Sequence, residues 1–446
     1  MTRSSSKGLI IAAPASGSGK TLFTLALLRL FKNTGIRVAS AKVGPDYIDP
    51  AFHTRASGQP CLNLDTWAMR PATLAHALDR LGRAGDLIVA EGVMGLFDGA
   101  GTESDTDDGS TASLARLTGW PVVLIVDARA QAASAAAVVR GFASHVPDVD
   151  VAGVIFNRVG SEQHASLLRQ ACARHLPHLP VLGCLPRNEA LVLPERHLGL
   201  VQAEEHEGLG AFLETAALWI DEHIDISTLK GLACDQNEIK VTASPTPIKP
   251  FGQRIAVAHD QAFAFSYHGI LQGWRECGAD IMMFSPLTGE GPDGSADAVY
   301  LPGGYPELHA GELATNGFVD LLRKAATNAI PVFGECGGFM VLGEALIDAD
   351  GVRHKMAGLL AGETSFAERK LHLGYRQMTT LENSPLGPSG QEFRGHEFHY
   401  ASVTQPGADR PLFQAQNAAG HALGAVGLVK ENVAGSFMHL IGASSA

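Results

Sequence analysis

Five short runs of the chain, GLIIAA (8–13), RVASAKV (37–43), DLIVAEG (86–92), VVLIVDA (122–128) and VAGVIFN (151–157), are apolar over most of their length. Each is followed by a segment of helical length, such as the amphipathic stretch Thr21–Asn33. A strand without a polar face is covered on both sides. In a chain that alternates strands with helices, this means a parallel sheet with helices on both faces. The rhythm runs to VLGCLPR (181–187) and gives way to a helical stretch over roughly 204–223. CDQNEIKVTASPTPIKPFGQ (234–253) follows, polar and holding three prolines, the composition of a linker. Beyond it the pattern restarts with RIAVAHD, ADIMMFSPL, DAVYLPGG and IPVFGECGG. The expected fold class is therefore α/β, two doubly wound, mostly parallel-sheet domains. They are expected over 1–235 and 253–446, with 236–252 as linker.

A length of 446 residues, 46% hydrophobic and 18% charged, suits two real cores. The formal charge of −12 argues against nucleic-acid or anionic-membrane partners, while leaving room for one basic cleft. The six cysteines (61, 172, 184, 234, 277, 336) lack C-x-x-C spacing, which fits reduced thiols and a cytoplasmic location better than zinc or disulfides. Arg3 and Lys7 precede the apolar run Leu9–Ala13 in the manner of a secretion signal. That run leads straight into S-G-S-G-K-T, however, so it is read as the first buried strand. No apolar run approaches the length of a bilayer.

The segment after the first strand, PASGSGKT, holds Ser16, Gly17, Ser18, Gly19, Lys20 and Thr21 between a strand and a helix, the setting of a phosphate-binding loop. Gly17 and Gly19 let the backbone wrap an anion, Lys20 would pair with the outer phosphates and the Thr21 hydroxyl would ligate Mg²⁺. Pro14 stands where the usual pattern has its first Gly, but the cradle itself is complete. AKVGPDYIDPAFH (41–53) puts Lys42, Asp46 and Asp49 in a constrained loop at a strand end, where open α/β sheets bind ligands; a solvated turn is the plain alternative. AEGVMGLFDG (90–99) ends a strand on Glu91, placed to hold Mg²⁺ directly or through water, and Asp98 beyond it could touch substrate or metal. Asp127 and Asn157 also close strands. A carboxamide at 157 could read an adenine edge, and either residue could equally be structural.

In the second half, GECGG (334–338) has the form of a nucleophile elbow: a sharp strand-to-helix turn exposing Cys336, with the next backbone amide, Gly337, as an oxyanion donor. The helix N-terminus is expected to favour the thiolate. GSFMHLIG supplies His439 as base, and YLPGGYPEL adds Gly303 and Gly304 to the oxyanion hole. A single cysteine is ordinarily a small core residue. This surrounding pattern instead suits a class I glutamine amidotransferase. His396, Glu397 and His399 in GHEFHY do not make up four ligands, so structural or glutamine-binding roles fit them better than a metal.

Both halves resemble the cobyrinic and hydrogenobyrinic acid a,c-diamide synthases. The resemblance rests on A-P-x-S-G-x-G-K-T, K-V-G-P-D-Y-I-D-P-x-F-H, E-G-V-M-G-L-F-D-G, N-R-V-G and LPERHLGL in the first half. AFAFSYHG, LPGGYPEL, ECGGFM, LGYR and GHEFHY carry it in the second. In the dethiobiotin-synthetase-like branch to which the first half is similar, the first loop glycine is commonly missing, which accounts for Pro14. The resemblance implies that ATP with Mg²⁺ phosphorylates a corrin side-chain carboxylate and that ammonia released from L-glutamine displaces the phosphate. Asp46, Tyr47 and Asp49 would then belong to the substrate or metal loop, with Arg196 and His197 as further substrate contacts. Two positions depart from the pattern. Ile441 stands two residues after His439, where many class I enzymes place an orienting Glu that the diamide-synthase branch also tends to lack, so the resemblance implies a Cys–His dyad; His259 stands where relatives more often have Arg. A homo-oligomer is compatible with this reading. Cobyric acid synthase, a nickel-tetrapyrrole diamide synthase and a partitioning-type ATPase are the alternatives, the last leaving Cys336 and His439 without work.

Overall fold

The structure, a computed structural model, describes residues 6–102, 107–196, 199–239, 241, 245, 248–406 and 408–444. The chain divides into two compact units, Met1–Trp67 with Pro71–Ser244, and Ala68–Arg70 with Pro245–Ala446.

The first unit is built on seven parallel strands: β1 (Lys7–Ala12), β2 (Val38–Val43), β3 (Leu62–Leu64), β4 (Leu87–Glu91), β5 (Val122–Asp127), β6 (Val151–Val159) and β7 (Val181–Pro186). Their order is β3-β2-β4-β1-β5-β6-β7. A two-residue pairing of β8 (Glu195–Arg196) with β9 (Gly199–Leu200) follows, and β10 (Cys234–Asp235) lies antiparallel to the start of β1. The helices are α1 (Lys20–Asn33), α2 (Asp49–Ser57), α3 (Pro71–Ala84), α4 (Thr111–Thr118), α5 (Ser134–Ser144), α6 (Glu162–His175), α7 (Leu209–His223) and α8 (Ile226–Leu232).

β1 is buried at every position after Lys7, as its unbroken apolar run requires. Gly8 is needed there because a Cβ would stand 2.1 Å from the Trp120 ring. α1 is buried nearly all round (Phe23, Leu25, Leu27, Leu28, Phe31) and packs against α7. Each of those large side chains contributes about 2 kcal/mol by leaving water. The sheet order makes β1 the switch point, since the chain leaves it toward β2 and β4 on one side and later toward β5 on the other. Ligands of doubly wound sheets sit at the strand ends there.

The second unit has a ten-stranded sheet. Its parallel part, in the order β12-β11-β13-β14, is formed by β11 (Arg254–Ala258), β12 (Asp280–Phe284), β13 (Ala298–Leu301) and β14 (Val332–Glu335). Around it lie α9 (His268–Glu276), α10 (Ala310–Thr315), α11 (Phe318–Thr327) and α12 (Gly337–Leu342). The helices then stop. β15 (Ala345–Ile347), β16 (Arg353–Lys355), β17 (Gly362–Ser365) and β20 (Ser402–Pro406) make a separate four-stranded sheet. β18 (His372–Thr380), β19 (Glu392–His399), β21 (Arg410–Asn417), β22 (Ala422–Lys430), β23 (Val433–Ser436) and β24 (Met438–Ala443) complete the large one. β23 pairs parallel to β14, and from it the order β23-β22-β21-β18-β19-β24 is antiparallel throughout. This antiparallel extension goes beyond the βα rhythm of the sequence. β18, β19, β21 and β22 mix exposed, half-buried and buried positions, as in β22, where only Val429 is buried, so they give no continuous apolar run to read; β23 and β24 are the buried members of the set.

Candidate functional site

Lys42 and Glu91 are register partners on β2 and β4 at the carboxyl end of the first sheet, and Ile11 of β1 is the other register partner of Glu91. Glu91 is fully buried. Its Oε1 accepts from Lys42 Nζ (2.8 Å) and from Thr21 Oγ1 (2.6 Å), and its Oε2 lies 2.7 Å from His53 Nε2. Lys42 Nζ also donates to Asp49 Oδ2 at 2.6 Å. Burial opposes ionising Glu91, but Lys42 and His53 outweigh it and hold the carboxyl well below its usual range. Against the same burial, Cys61 and Glu91 lift His53 to about 10. Asp49 moves the other way, raised to about 7 by burial and by Asp46 against the pull of Lys42. The result is a buried ion cluster whose members depend on one another.

The phosphate loop closes over this cluster. Gly17 and Gly19 take φ of 73° and 98°, values a side chain resists. Lys20 Nζ donates to the Met94 carbonyl (2.6 Å), and Met94 itself has a left-handed φ of 47°. Burial is the main cause of the lowering of Lys20 to about 8. A cavity of about 680 Å³ opens here, walled by Ser16, Gly17, Gly19, Lys20, Thr21, Lys42, Asp46, Asp49, Glu91 and Asn157 among others, a size suited to a nucleotide-scale ligand. Thr21, Asp46 and Glu91 give it hard oxygen donors of the kind Mg²⁺ takes, so the residues fit that ion.

Four expected residues have side chains engaged within the protein or set back from the cavity wall. Ser18 is buried, with its hydroxyl donating to Ala15 O (2.8 Å). Tyr47 is buried as well and is not part of the cavity wall. Asp98 accepts from Gly95 N (2.8 Å) and so closes its own loop instead of reaching the cavity. Asn157 lines the cavity, but its Nδ2 donates to Ser18 O (2.9 Å) and its Oδ1 accepts from Arg158 N (2.8 Å). Its amide therefore braces the loop, and its second Nδ2 hydrogen is left for another acceptor. His197 and the Arg196 side chain lie outside the described residues.

Sequence reasoning passed over His53 and a basic rim. His53 stands four residues after Asp49 on α2, one turn along the same face, and this spacing was the available signal. Arg129, Arg158 and Arg187 line the cavity, each within two residues of a strand end. Arg158 donates to both Gly17 O and Asp127 Oδ2 at 2.7 Å, which gives Asp127 its structural part.

In the second unit Cys336 sits between β14 and α12 with φ of 46°, the strained turn of a nucleophile elbow. A Cβ on Gly303 would lie 3.2 Å from Cys336 Cβ and 3.2 Å from His439 Nε2, so one methyl group would touch both side chains. A Cβ on Gly337 would lie 3.0 Å from the Gly304 amide nitrogen. Three glycine backbones thus converge on the thiol, and none has room for a side chain. The expectation of a resting thiolate meets an opposing effect. Burial, then the Glu307 charge, push the Cys336 thiol well up, and the six residues of α12 do not offset that. Burial, then His396 and His399, bring His439 down to about 3. Both shifts favour the thiol and the neutral imidazole. Alkylation of Cys336 by iodoacetamide without glutamine should accelerate steadily between about pH 6 and 9. A plateau across that range would mean a preformed thiolate–imidazolium pair.

His372, Glu397 and His399 bring one ligand atom each to within 4.8 Å of one another, with His372 replacing His396 in the group suggested by GHEFHY. Arg376 already takes Glu397 through Nε (2.7 Å) and Nη2 (2.6 Å), which makes the group an ion-pair network. Among the described residues, no helix is long and apolar enough to cross a membrane.

Two family descriptions match separate stretches of the chain. Residues 9–201 match the CobQ/CobB/MinD/ParA nucleotide binding domain and residues 254–446 the CobB/CobQ-like glutamine amidotransferase domain. The chain is 53% identical over 437 residues to a hydrogenobyrinate a,c-diamide synthase of Brucella anthropi, covering 98% of each chain. It is 50% identical over 441 residues to one from Sinorhizobium sp (98% of this chain, 99% of the relative), and 51% identical over 436 residues to one from Rhizobium meliloti (97% and 99%).

Proposed function

The chain belongs to the hydrogenobyrinate a,c-diamide synthase family, glutamine-dependent amide-forming enzymes of cobalamin biosynthesis, and from that premise we propose that it uses ATP and L-glutamine to amidate the a and c acetate carboxylates of a corrin ring through an acyl phosphate. The observation that carries this reading is the buried Lys42–Glu91–Thr21 cluster beneath the phosphate loop, a site for phosphoryl transfer, in a chain that also holds the Cys336–His439 pair.

A carboxylate resists amines because its oxygen leaves poorly. In the first unit a substrate carboxylate oxygen attacks the γ-phosphorus of ATP, the O–P bond forms, the bridging P–O bond breaks and ADP departs. Lys20 and Lys42 bring positive charge to the phosphoryl group in transit. Thr21, Asp46 and Glu91 would hold Mg²⁺, which when bound neutralises phosphate charge. In the second unit Cys336 Sγ attacks the glutamine amide carbon while His439 accepts the thiol proton and passes it to the leaving ammonia. The amides around Gly303, Gly304 and Gly337 are the donors for the oxyanion, and water then clears the glutamyl thioester. Ammonia attacks the acyl phosphate carbon and inorganic phosphate leaves.

The relatives' names favour the metal-free ring, hydrogenobyrinic acid, over cobyrinic acid, and near full-length matching favours diamide synthesis over cobyric acid synthesis. The test is mass spectrometry of each ring acid incubated with protein, Mg-ATP and glutamine. Two acid-to-amide conversions on hydrogenobyrinic acid are expected. Conversion of neither ring, with ATP and glutamine still hydrolysed, would assign the enzyme to another acid.

A further inference from the structure

We propose that Glu335 is the positioning residue of the Cys336–His439 pair, holding the backbone of His439 in place where other class I sites hold the imidazole with a carboxylate two residues further on. The inference rests on the reading of that pair as the glutamine-hydrolysing centre. Glu335 is the last residue of β14, next to Cys336, and is 2% exposed. Its Oε1 accepts from Leu440 N at 3.0 Å and its Oε2 accepts from Tyr300 OH at 2.7 Å. One carboxyl therefore joins three segments that meet at the thiol. β14 carries Cys336, β24 carries His439 immediately before Leu440, and β13 carries Tyr300, three residues ahead of Gly303.

The alternation of strands explains why this contact is made from behind. Tyr300, Phe333, Met438 and Leu440 share one apolar cluster, whereas Cys336 belongs to the cluster on the other side. Donation from Leu440 N fixes the peptide plane between His439 and Leu440, and with it the direction in which the His439 Cα–Cβ bond leaves the strand. β24 ends the path of the large sheet, so this amide finds a carboxyl oxygen where an interior strand would find a neighbouring carbonyl. Position 441, two residues after the histidine, is a buried Ile and cannot orient the ring. Burial raises Glu335 to about 7, a cost that an apolar residue filling the same space would not incur. The carboxyl offsets that cost by accepting from the Leu440 amide and the Tyr300 hydroxyl, and through the first of these bonds it aligns the histidine.

The experiment measures glutamine hydrolysis by full-length wild type, Glu335→Ala, Glu335→Gln and Cys336→Ser, with ammonium-supported amidation as the second readout. Glu335→Ala should lower kcat for glutamine by about 100-fold with KM changed less than about twofold, the scale of a displacement near 1 Å at a reacting group. Ammonium-supported amidation should stay within about twofold. Glu335→Gln keeps an acceptor oxygen and should recover most of kcat. If Glu335→Ala does not fold, Glu335→Met, which fills the space and accepts no such bond, takes its place. An unchanged kcat, a rise confined to KM, or a Gln variant no better than Ala would overturn the inference. Retained hydrolysis in Cys336→Ser would instead overturn the reading on which it rests.

Discussion

Cys336→Ser is expected to lower glutamine-dependent amidation by about 10³-fold or more while amidation supplied with excess ammonium salt stays within about twofold of wild type. The substitution is nearly isosteric, and the site is defined by backbone that Ser does not disturb: φ of 46° at residue 336 and the converging glycines 303, 304 and 337. The chemistry is what changes. A hydroxyl is a far weaker acid than a thiol, and the imidazole that must take its proton is already driven down to about 3 by burial and by His396 and His399. Burial that hinders ionisation of the thiol hinders the alcohol more. The assay follows diamide formation by mass spectrometry with each nitrogen source in parallel. Glutamine-dependent product above a few per cent of wild type would place the nucleophile elsewhere, and loss of the ammonium-supported reaction would mean that the substitution acts beyond the glutaminase centre.

The sequence was most informative where a feature is local. β1, the loop and the start of α1 follow from one run of apolar residues, two glycines and Lys20-Thr21, because strand, turn and helix each leave a mark within a few residues. The same holds for the elbow at Cys336. Features set by tertiary approach left weaker marks. The strands between Ala345 and Ala443 pair mostly antiparallel, and even a buried run such as β23 does not say which strand lies beside it, so neither the strand order nor the pairing of β23 with β14 could be read. Asp98, in the loop beyond β4, and Asn157, near the end of β6, carry functional side-chain types, yet both also hydrogen-bond to loop backbone, which sequence does not reveal. His53 was the opposite case. It lies within a motif already singled out, and only its place across from Glu91 reveals it as a buried cation. The thiol illustrates a different limit: a helix N-terminus lowers a cysteine's pKa, but sequence does not say how deeply the sulfur is buried, and here burial pushes the other way.

The buried cluster in the first unit gives the complementary prediction. Lys42→Met should abolish amidation with either nitrogen source, by about 10³-fold or more, while glutamine hydrolysis persists at its basal rate. It should also destabilise the protein. Lys42 is 4% exposed and lies 2.6 Å from Asp49 and 2.8 Å from Glu91, so its removal leaves two buried carboxylates facing each other without a cation between them. Breaking a buried pair in this way costs about 3–5 kcal/mol. A fall in activity alone would not then distinguish lost chemistry from lost folding. The double variant Lys42→Met/Asp49→Asn separates them, because it removes one negative charge along with the positive one. Urea denaturation should return most of the stability to the double variant, with the amidation assay still at background. If activity returned together with stability, Lys42 would be an element of the core that happens to border the cavity. If stability returned alone, Lys42 would remain the cation that the phosphoryl group requires, held ready by Glu91 and, through Glu91, by His53 on the far side of the same carboxylate.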